Sequence, residues 1–341
     1  MNDETLTLTA YFAERQRSGH RFSADALLDL FERRRIATSV MVRGIASFGP
    51  ANVTRSDRSL SLSEDPPVSV WAIDAPDRIS AVADDAAALI GRGVLTVENG
   101  RSLRADEPVN GDTVRLALHL GRRQRLSGAP GYLAVCDVLH AHGFVGADVY
   151  LGVDGTVDGA RRRAHFFSRN SEVPLSVVGV GTTAQAVTAA AELRTALPDA
   201  LFGIAPTRVC KNDGRHLSRP MPSDGPYQRL TVHTAEASRH RGQPIHRALV
   251  HRLKNSDHAG GATVLRAIWG FRGTERPHGD RLLQVSRQVP VTTVLIDTAT
   301  NIAASYPIVD ELTEHEGLVT VEAIPGLLEV NGDQRFGSLH P

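Results

Sequence analysis

Three stretches of the chain alternate apolar and mixed positions in the same way. Leu8, Ala10 and Phe12 share one face of the first, Leu116, Leu118 and Leu120 one face of the second, and Leu230, Val232 and Thr234 one face of the third. A period of two predicts β-strands at Leu8–Glu14, Leu116–Arg122 and Leu230–Glu236. Each is followed by a stretch with helical spacing; in the first copy Ala26, Leu27, Leu30 and Phe31 form one stripe.

The elements that follow recur in the same order. Helices are predicted at Ser23–Arg33, Gly131–His142 and Pro244–Lys254, and second strands at Ser39–Ile45, Asp148–Val153 and Thr263–Ile268. After a loop come third strands at Val68–Ile73, Leu175–Val180 and Val291–Ile296. Second helices at Pro76–Leu89, Thr183–Leu197 and Ala299–Leu312 lead to last strands at Val94–Glu98, Leu201–Ile204 and Leu318–Glu322. The order β-α-β-β-α-β is the split βαβ arrangement of a ferredoxin-like unit, so the chain reads as α+β. Three tandem repeats are expected, at residues 1–100, 112–210 and 227–328, the middle one diverged. Gly100–Gly111 and Lys211–Pro226, rich in Gly, Pro, Asp and Arg, read as joints.

A ferredoxin-like sheet carries both helices on one face, and a solvated second face would alternate toward polar residues. Val68-Ser69-Val70-Trp71-Ala72-Ile73 and its two counterparts are largely apolar on both faces. Exposing a large apolar side chain forfeits roughly 2 kcal/mol, so the three sheets are expected to close around a shared interior as a single-chain pseudo-trimer. Tyr11, His119 and His233, at equivalent positions of the first strands, should then point into that interior. Hydrogen bonding to backbone or water is the plainer reading of the three, because Tyr, His and His without a carboxylate make a poor metal site.

Charge narrows the function classes. The 341 residues carry 38 basic and 38 acidic side chains, a net charge of zero, which removes the field that steers proteins to nucleic acid or anionic membranes. The two cysteines, Cys136 and Cys210, show no metal spacing. Without a leader-like start or a long apolar run, a cytoplasmic location is expected. No nucleophile–base or phosphate-loop motif is present, so an enzyme is not expected.

The segments Leu8-Thr-Ala-Tyr-Phe-Ala-Glu14-Arg15, Val42-Arg43-Gly44-Ile45 with Phe48-Gly49, and Thr54-Arg55-Ser-Asp57-Arg58 leading to Leu60-Ser-Leu62-Ser63-Glu64-Asp65 resemble the DUF190 family, which is related to the PII signalling proteins. The third repeat resembles it through Ala235-Glu236, Leu265-Arg266, Gly270-Phe271 and Asp280-Arg281, the second mainly through its strand pattern. The resemblance implies PII-like repeats that bind small ligands, often adenine nucleotides, in clefts between subunits. It also implies signalling through the loop between the second and third strands, and a tie to fluoride or other ion transport.

On that basis the candidate ligand-binding residues are Glu14, Arg15, Arg43, Gly44, Phe48, Gly49, Arg55, Asp57 and Arg58 of the first repeat, with Glu236 and Arg266 of the third. Arginines on a Gly- and Pro-containing loop can grip a phosphate bidentately, though the same residues can equally pair with each other or brace the loop. Arg122 and Leu151 stand in the middle repeat where the others have Glu and Arg, so one or two competent clefts are expected rather than three. The expected ligand is a small anionic effector, with a membrane transporter or another protein reading the loop 46–59. The chain itself is expected to be monomeric. An interaction scaffold without ligand is the alternative, and a small-substrate enzyme a weaker one.

Overall fold

The computed structural model describes residues 4–49, 54–56, 65–101, 112–126, 128–164, 172–198, 200–222, 225–279 and 289–340. It is a mixed α+β architecture in three repeats. Repeat 1 runs β1 (Glu4–Ala13), α1 (Ser23–Arg33), β2 (Thr38–Phe48), β3 (Pro67–Asp74), α2 (Pro76–Ala88) and β4 (Arg92–Arg101). Repeat 2 runs β5 (Thr113–Gly121), α3 (Gly131–Ala141), β6 (Gly146–Leu151), β7 (Asp154–Val157), β8 (Pro174–Thr182), α4 (Thr183–Ala196) and β9 (Leu201–Pro206), extended by β10 (Arg208–Asn212). Repeat 3 runs β11 (Tyr227–Ala235), α5 (Ile245–Lys254), β12 (Ala262–Arg266), β13 (Trp269–Arg272), β14 (Pro290–Thr298), α6 (Ala299–Leu312) and β15 (Leu318–Ile324). A hairpin, β16 (Gly326–Asn331) and β17 (Gln334–Ser338), follows it.

In repeat 1, β1 lies between β3 and β4, and β2 pairs the other side of β3, all antiparallel. The same order, last–first–third–second, holds in repeats 2 and 3. The helices of each repeat bury one stripe on its sheet, giving one core per repeat. Val68, Val70, Leu175, Val177, Val291 and Leu295 face these cores, while Ser69, Ser176 and Thr292 on the opposite faces are equally buried. The double burial demanded by the third-strand pattern is therefore present, and on the far side Val40, Val42, Tyr150, Leu265 and Ala267 form a fourth cluster shared by all three repeats.

Second strands join the repeats in a closed circuit. β7 pairs the start of β2, β13 pairs β6, and β12 pairs the end of β2. A glycine sits at each of these contacts. A Cβ on Gly44 would lie 2.8 Å from the Val264 carbonyl, one on Gly155 2.0 Å from that of Ser39, and one on Gly270 2.3 Å from that of Ala147. Each would also meet the ring of the proline that opens its own third strand, Pro67, Pro174 or Pro290. Gly44, a candidate for ligand approach, is thus occupied by backbone from repeat 3.

The last strands are covered as well. β10 pairs β15, β16 pairs β4, and Arg101 pairs Ile204. Each repeat so lends chain to the edge of the next, which leaves fewer open edges for aggregation. Two departures from the sequence expectation have local causes. The second strand of repeat 2, expected at Asp148–Val153, breaks after Leu151, where the Gly152 amide bonds the Pro174 carbonyl and the Val153 amide already bonds the Met41 carbonyl of repeat 1. The joint expected to begin at Lys211 opens instead inside β10, where Lys211 is buried and donates to the Asp310 carbonyl and carboxylate at 2.7 Å. No helix among the described residues is long and apolar enough to cross a membrane.

Candidate functional site

Strand alternation decides what reaches the centre. On one face of β1, β5 and β11 stand Thr7, Thr9 and Tyr11; Arg115, Ala117 and His119; and Arg229, Thr231 and His233. All nine line one central cavity of about 90 Å³. Each of the three first-strand residues singled out from the sequence faces a hydroxyl residue across the strand pair: Tyr11 Ser69, His119 Ser176, and His233 Thr292. His119 Nδ1 bonds Ser176 Oγ at 2.7 Å, and His233 Nδ1 donates to Asp148 at 2.8 Å. Burial, with Arg115 adding to it, pushes His119 down to about 3. Burial also lowers His233, against the pull of Asp148. Tyr11 is pushed up to about 12, chiefly by burial.

The centre is more highly charged than the sequence reading foresaw. Arg115 donates to Glu98 at 2.9 Å and to Glu322 at 3.0 Å, and Arg229 bonds the same two carboxylates. The four groups, three of them buried and Arg115 half-buried, make a neutral ring of alternating sign drawn from all three repeats. Burial opposes ionisation of Glu322, but Arg115 and Arg229 outweigh it and hold its pKa low. Arg115 and Arg229 lie four residues before His119 and His233, and so on the same strand face. That was the sequence signal for the ring.

Two larger cavities open where repeats meet. The 1/3 cleft, about 330 Å³, lies between the ends of β1 and β2, the start of β12, the β14–α6 junction and the terminal hairpin. The 2/1 cleft, about 210 Å³, is walled by the end of β5, the start of β2 and the Val157–Asp158 turn. The two occupy corresponding places: Tyr11, Phe12 and Ala13 line the first where His119, Leu120 and Gly121 line the second. Tyr11 and His119 also line the central cavity, so each stands between a seam cleft and the centre. At the 3/2 seam Arg272 reaches Asp148 at 2.6 Å. Burial pushes Asp148 up, yet Arg272 and His233 outweigh it and hold it at about 2.

The candidate ligand residues separate into groups. Phe48 and Gly49 line the 1/3 cleft, and Phe48 is also packed in the core of repeat 3. Glu14 and Arg43 pair with each other at 2.6 Å, as Glu236 and Arg266 do at 2.8 Å, and these four residues do not line the cleft. The Arg15 amide donates to Asp65 at 2.7 Å. Arg55 pairs its backbone with Ser47, while its side chain, with Asp57 and Arg58, lies outside the described residues. The 2/1 cleft carries Arg123 and Arg162, which approach Glu172 at 3.5 and 3.4 Å. Among the described residues no group of three or more His, Cys, Asp or Glu is placed to hold a metal ion.

Comparison with known sequences agrees with this threefold internal likeness. The profile of the DUF190 family, described as "Uncharacterized ACR", matches residues 5–101, 113–209 and 227–325. The chain is also similar to a UPF0166 protein of Aquifex aeolicus (strain VF5), 31% identical over 96 residues, which are 28% of this chain and 88% of that protein. That relative has the length of a single repeat. The chain belongs to the DUF190 family and carries its domain three times in tandem.

Proposed function

We propose that the protein is a non-enzymatic, PII-like ligand sensor. Its three ferredoxin-like repeats serve as the three subunits of a pseudo-trimer, and a small anionic effector binds in a cleft between repeats. The observation that carries this reading is the pair of corresponding cavities at the 1/3 and 2/1 seams. The larger reaches the ~300–1,000 Å³ typical of ligand sites. Gly49, on its wall, opens the long loop of repeat 1, the segment through which a partner such as a membrane transporter would read the bound state.

The 2/1 cleft supports the choice of an anion. Arg123 and Arg162 converge on one exposed carboxylate at distances beyond a tight hydrogen bond. Such exposed pairs contribute about 0.2–1 kcal/mol each, so an external phosphate or carboxylate can displace Glu172. An adenine nucleotide is the effector class suggested by the PII resemblance. An interaction scaffold is the second reading; it is favoured by the 3/2 seam, where Arg272, Asp148 and His233 tie the corresponding elements together.

A thermal-shift screen tests the reading, with ATP, ADP, AMP, cyclic AMP, inorganic phosphate, bicarbonate and fluoride as probes. A ligand at a hundred times its Kd stabilises by about 2.7 kcal/mol, a readable rise in Tm. Arg162→Ala should remove that rise without lowering the ligand-free Tm. No shift with any probe would favour the scaffold.

A further inference from the structure

Glu329 stands on the terminal hairpin, beyond the last strand of repeat 3, with its side chain on the wall of the 1/3 cleft. Among the described residues its carboxylate has no hydrogen-bond or ion-pair partner. It is nonetheless half-buried, and burial, reinforced by the charge of Asp297, raises its pKa. A carboxylate withdrawn from water without a partner carries a desolvation cost that a ligand can relieve.

The surroundings define what kind of ligand. Asp297, which also lines the cleft, is already engaged: it accepts from the Gly260 amide at 2.9 Å, the Thr298 amide at 2.7 Å and Asn301 Nδ2 at 2.8 Å. Its charge still adds to that of Glu329. Arg92 is the one described Lys or Arg on this wall, and it donates to Asn331 at 3.1 Å rather than to Glu329. The described wall is thus net negative, the reverse of the arginine-bearing 2/1 cleft. Phe336 pairs directly with Glu329 across the hairpin and is 57% exposed. Directly opposed residues share a face, so an aromatic ring and a carboxylate are presented side by side. Tyr227 supplies a further aromatic ring in the same cleft.

We propose that the 1/3 cleft binds an organic ammonium: a primary amine on a short apolar or aromatic body, with Glu329 as counter-ion and Phe336 and Tyr227 as ring contacts. An ammonium between a carboxylate and aromatic faces gains a charge-assisted hydrogen bond and cation–π attraction together. The site goes beyond the anionic effector assigned to the other seam and does not depend on it. One chain would then read two ligands of opposite charge in corresponding clefts.

The test uses two probes with similar bodies and opposite charges, phenethylamine and 3-phenylpropionate, titrated calorimetrically into the full-length protein. The amine should bind saturably and the carboxylate should not. Glu329→Gln keeps the shape and removes the charge, so amine affinity should fall about tenfold or more, with no loss of Tm. Arg162→Ala, directed at the other cleft, should leave amine binding unchanged while abolishing nucleotide binding, so the two readings fail separately. Equal binding of the two probes, no amine binding at millimolar concentration, or full amine affinity in Glu329→Gln would each overturn the proposal.

Discussion

Arg43 donates Nε to both carboxylate oxygens of Glu14, at 2.8 and 3.0 Å, and Nη2 to Oε1 at 2.6 Å. The clasp passes over the start of β3, since the Glu14 amide bonds the Pro66 carbonyl and Arg43 lies opposite Val68. Repeat 3 builds the same clasp from Glu236 and Arg266. Repeat 2, with Arg122 and Leu151 at these places, lacks the residues for it. The clasp fixes the base of the loop that follows β2 and uses up donors that a ligand would otherwise need.

Arg43→Gln is accordingly expected to cost little. Arg43 is more than half exposed, and exposed pairs are worth about 0.2–1 kcal/mol. Chemical denaturation should show a loss in that range, and effector affinity should change far less than in Arg162→Ala. A large loss of affinity in Arg43→Gln would return Arg43 to the binding site.

The central ring should behave as a coupled unit. Arg229→Leu leaves two carboxylates facing Arg115 alone, and removing one member of a buried charge set costs about 3–5 kcal/mol. Adding Glu322→Leu restores neutrality, with the Glu98–Arg115 pair at 2.9 Å still in place. The double variant should recover most of the loss, giving a strongly non-additive double-mutant cycle in urea unfolding. Additive losses would contradict the ring.

Stability should fall as the pH drops below about 6.5, before most carboxylates protonate. His119 and His233 are held neutral in the folded protein, with pKa values below the ordinary histidine value. The unfolded chain therefore binds more protons, and the stability these residues support above pH 6.5 is lost on acidification. For His119 the slope is about 1.4 kcal/mol per pH unit, and His233 adds to it in the same direction. For His119 the window runs from the unfolded value down to about 3. His119→Gln should flatten the dependence of unfolding free energy between pH 6.5 and 5, and an unchanged slope would count against a neutral buried His119.

The seam glycines give a steric test. A Cβ on Gly270 would stand 2.3 Å from the Ala147 carbonyl, whereas one on Gly49 meets nothing within 4 Å. Gly270→Ala is expected to destabilise by about 1–3 kcal/mol or more, the usual cost of overpacking. Gly49→Ala should leave the Tm unchanged. Equal melting of the two variants would mean that the repeats do not meet as closely as described.

Much of this architecture could be read from residue patterns, because burial on one or both faces leaves a period in the sequence. The two-sided apolar pattern of Val68–Ile73 anticipated the shared interior, and alternation alone put Tyr11, His119 and His233 on the face that forms it. The charged ring was less legible because Thr7 and Ala205 interrupt it, so the Arg–Glu pair is complete in repeat 3 but not in repeats 1 and 2. Pairing across seams, such as Asp148 with Arg272, depends on how repeats dock, which no local period encodes. The strand at Arg208–Asn212 was hidden among turn-forming residues, and Glu329 lay past the boundary drawn for repeat 3. The spacing that drew attention to Glu14 and Arg43 identified real partners, but they are partners of each other.

The most direct measurement is calorimetric titration of ADP and ATP into the wild-type protein and Arg162→Ala. The account predicts saturable binding with fewer than three equivalents per chain, lost in the variant while its ligand-free Tm is kept. Three equal sites, no binding at all, or binding that survives Arg162→Ala unchanged would contradict it.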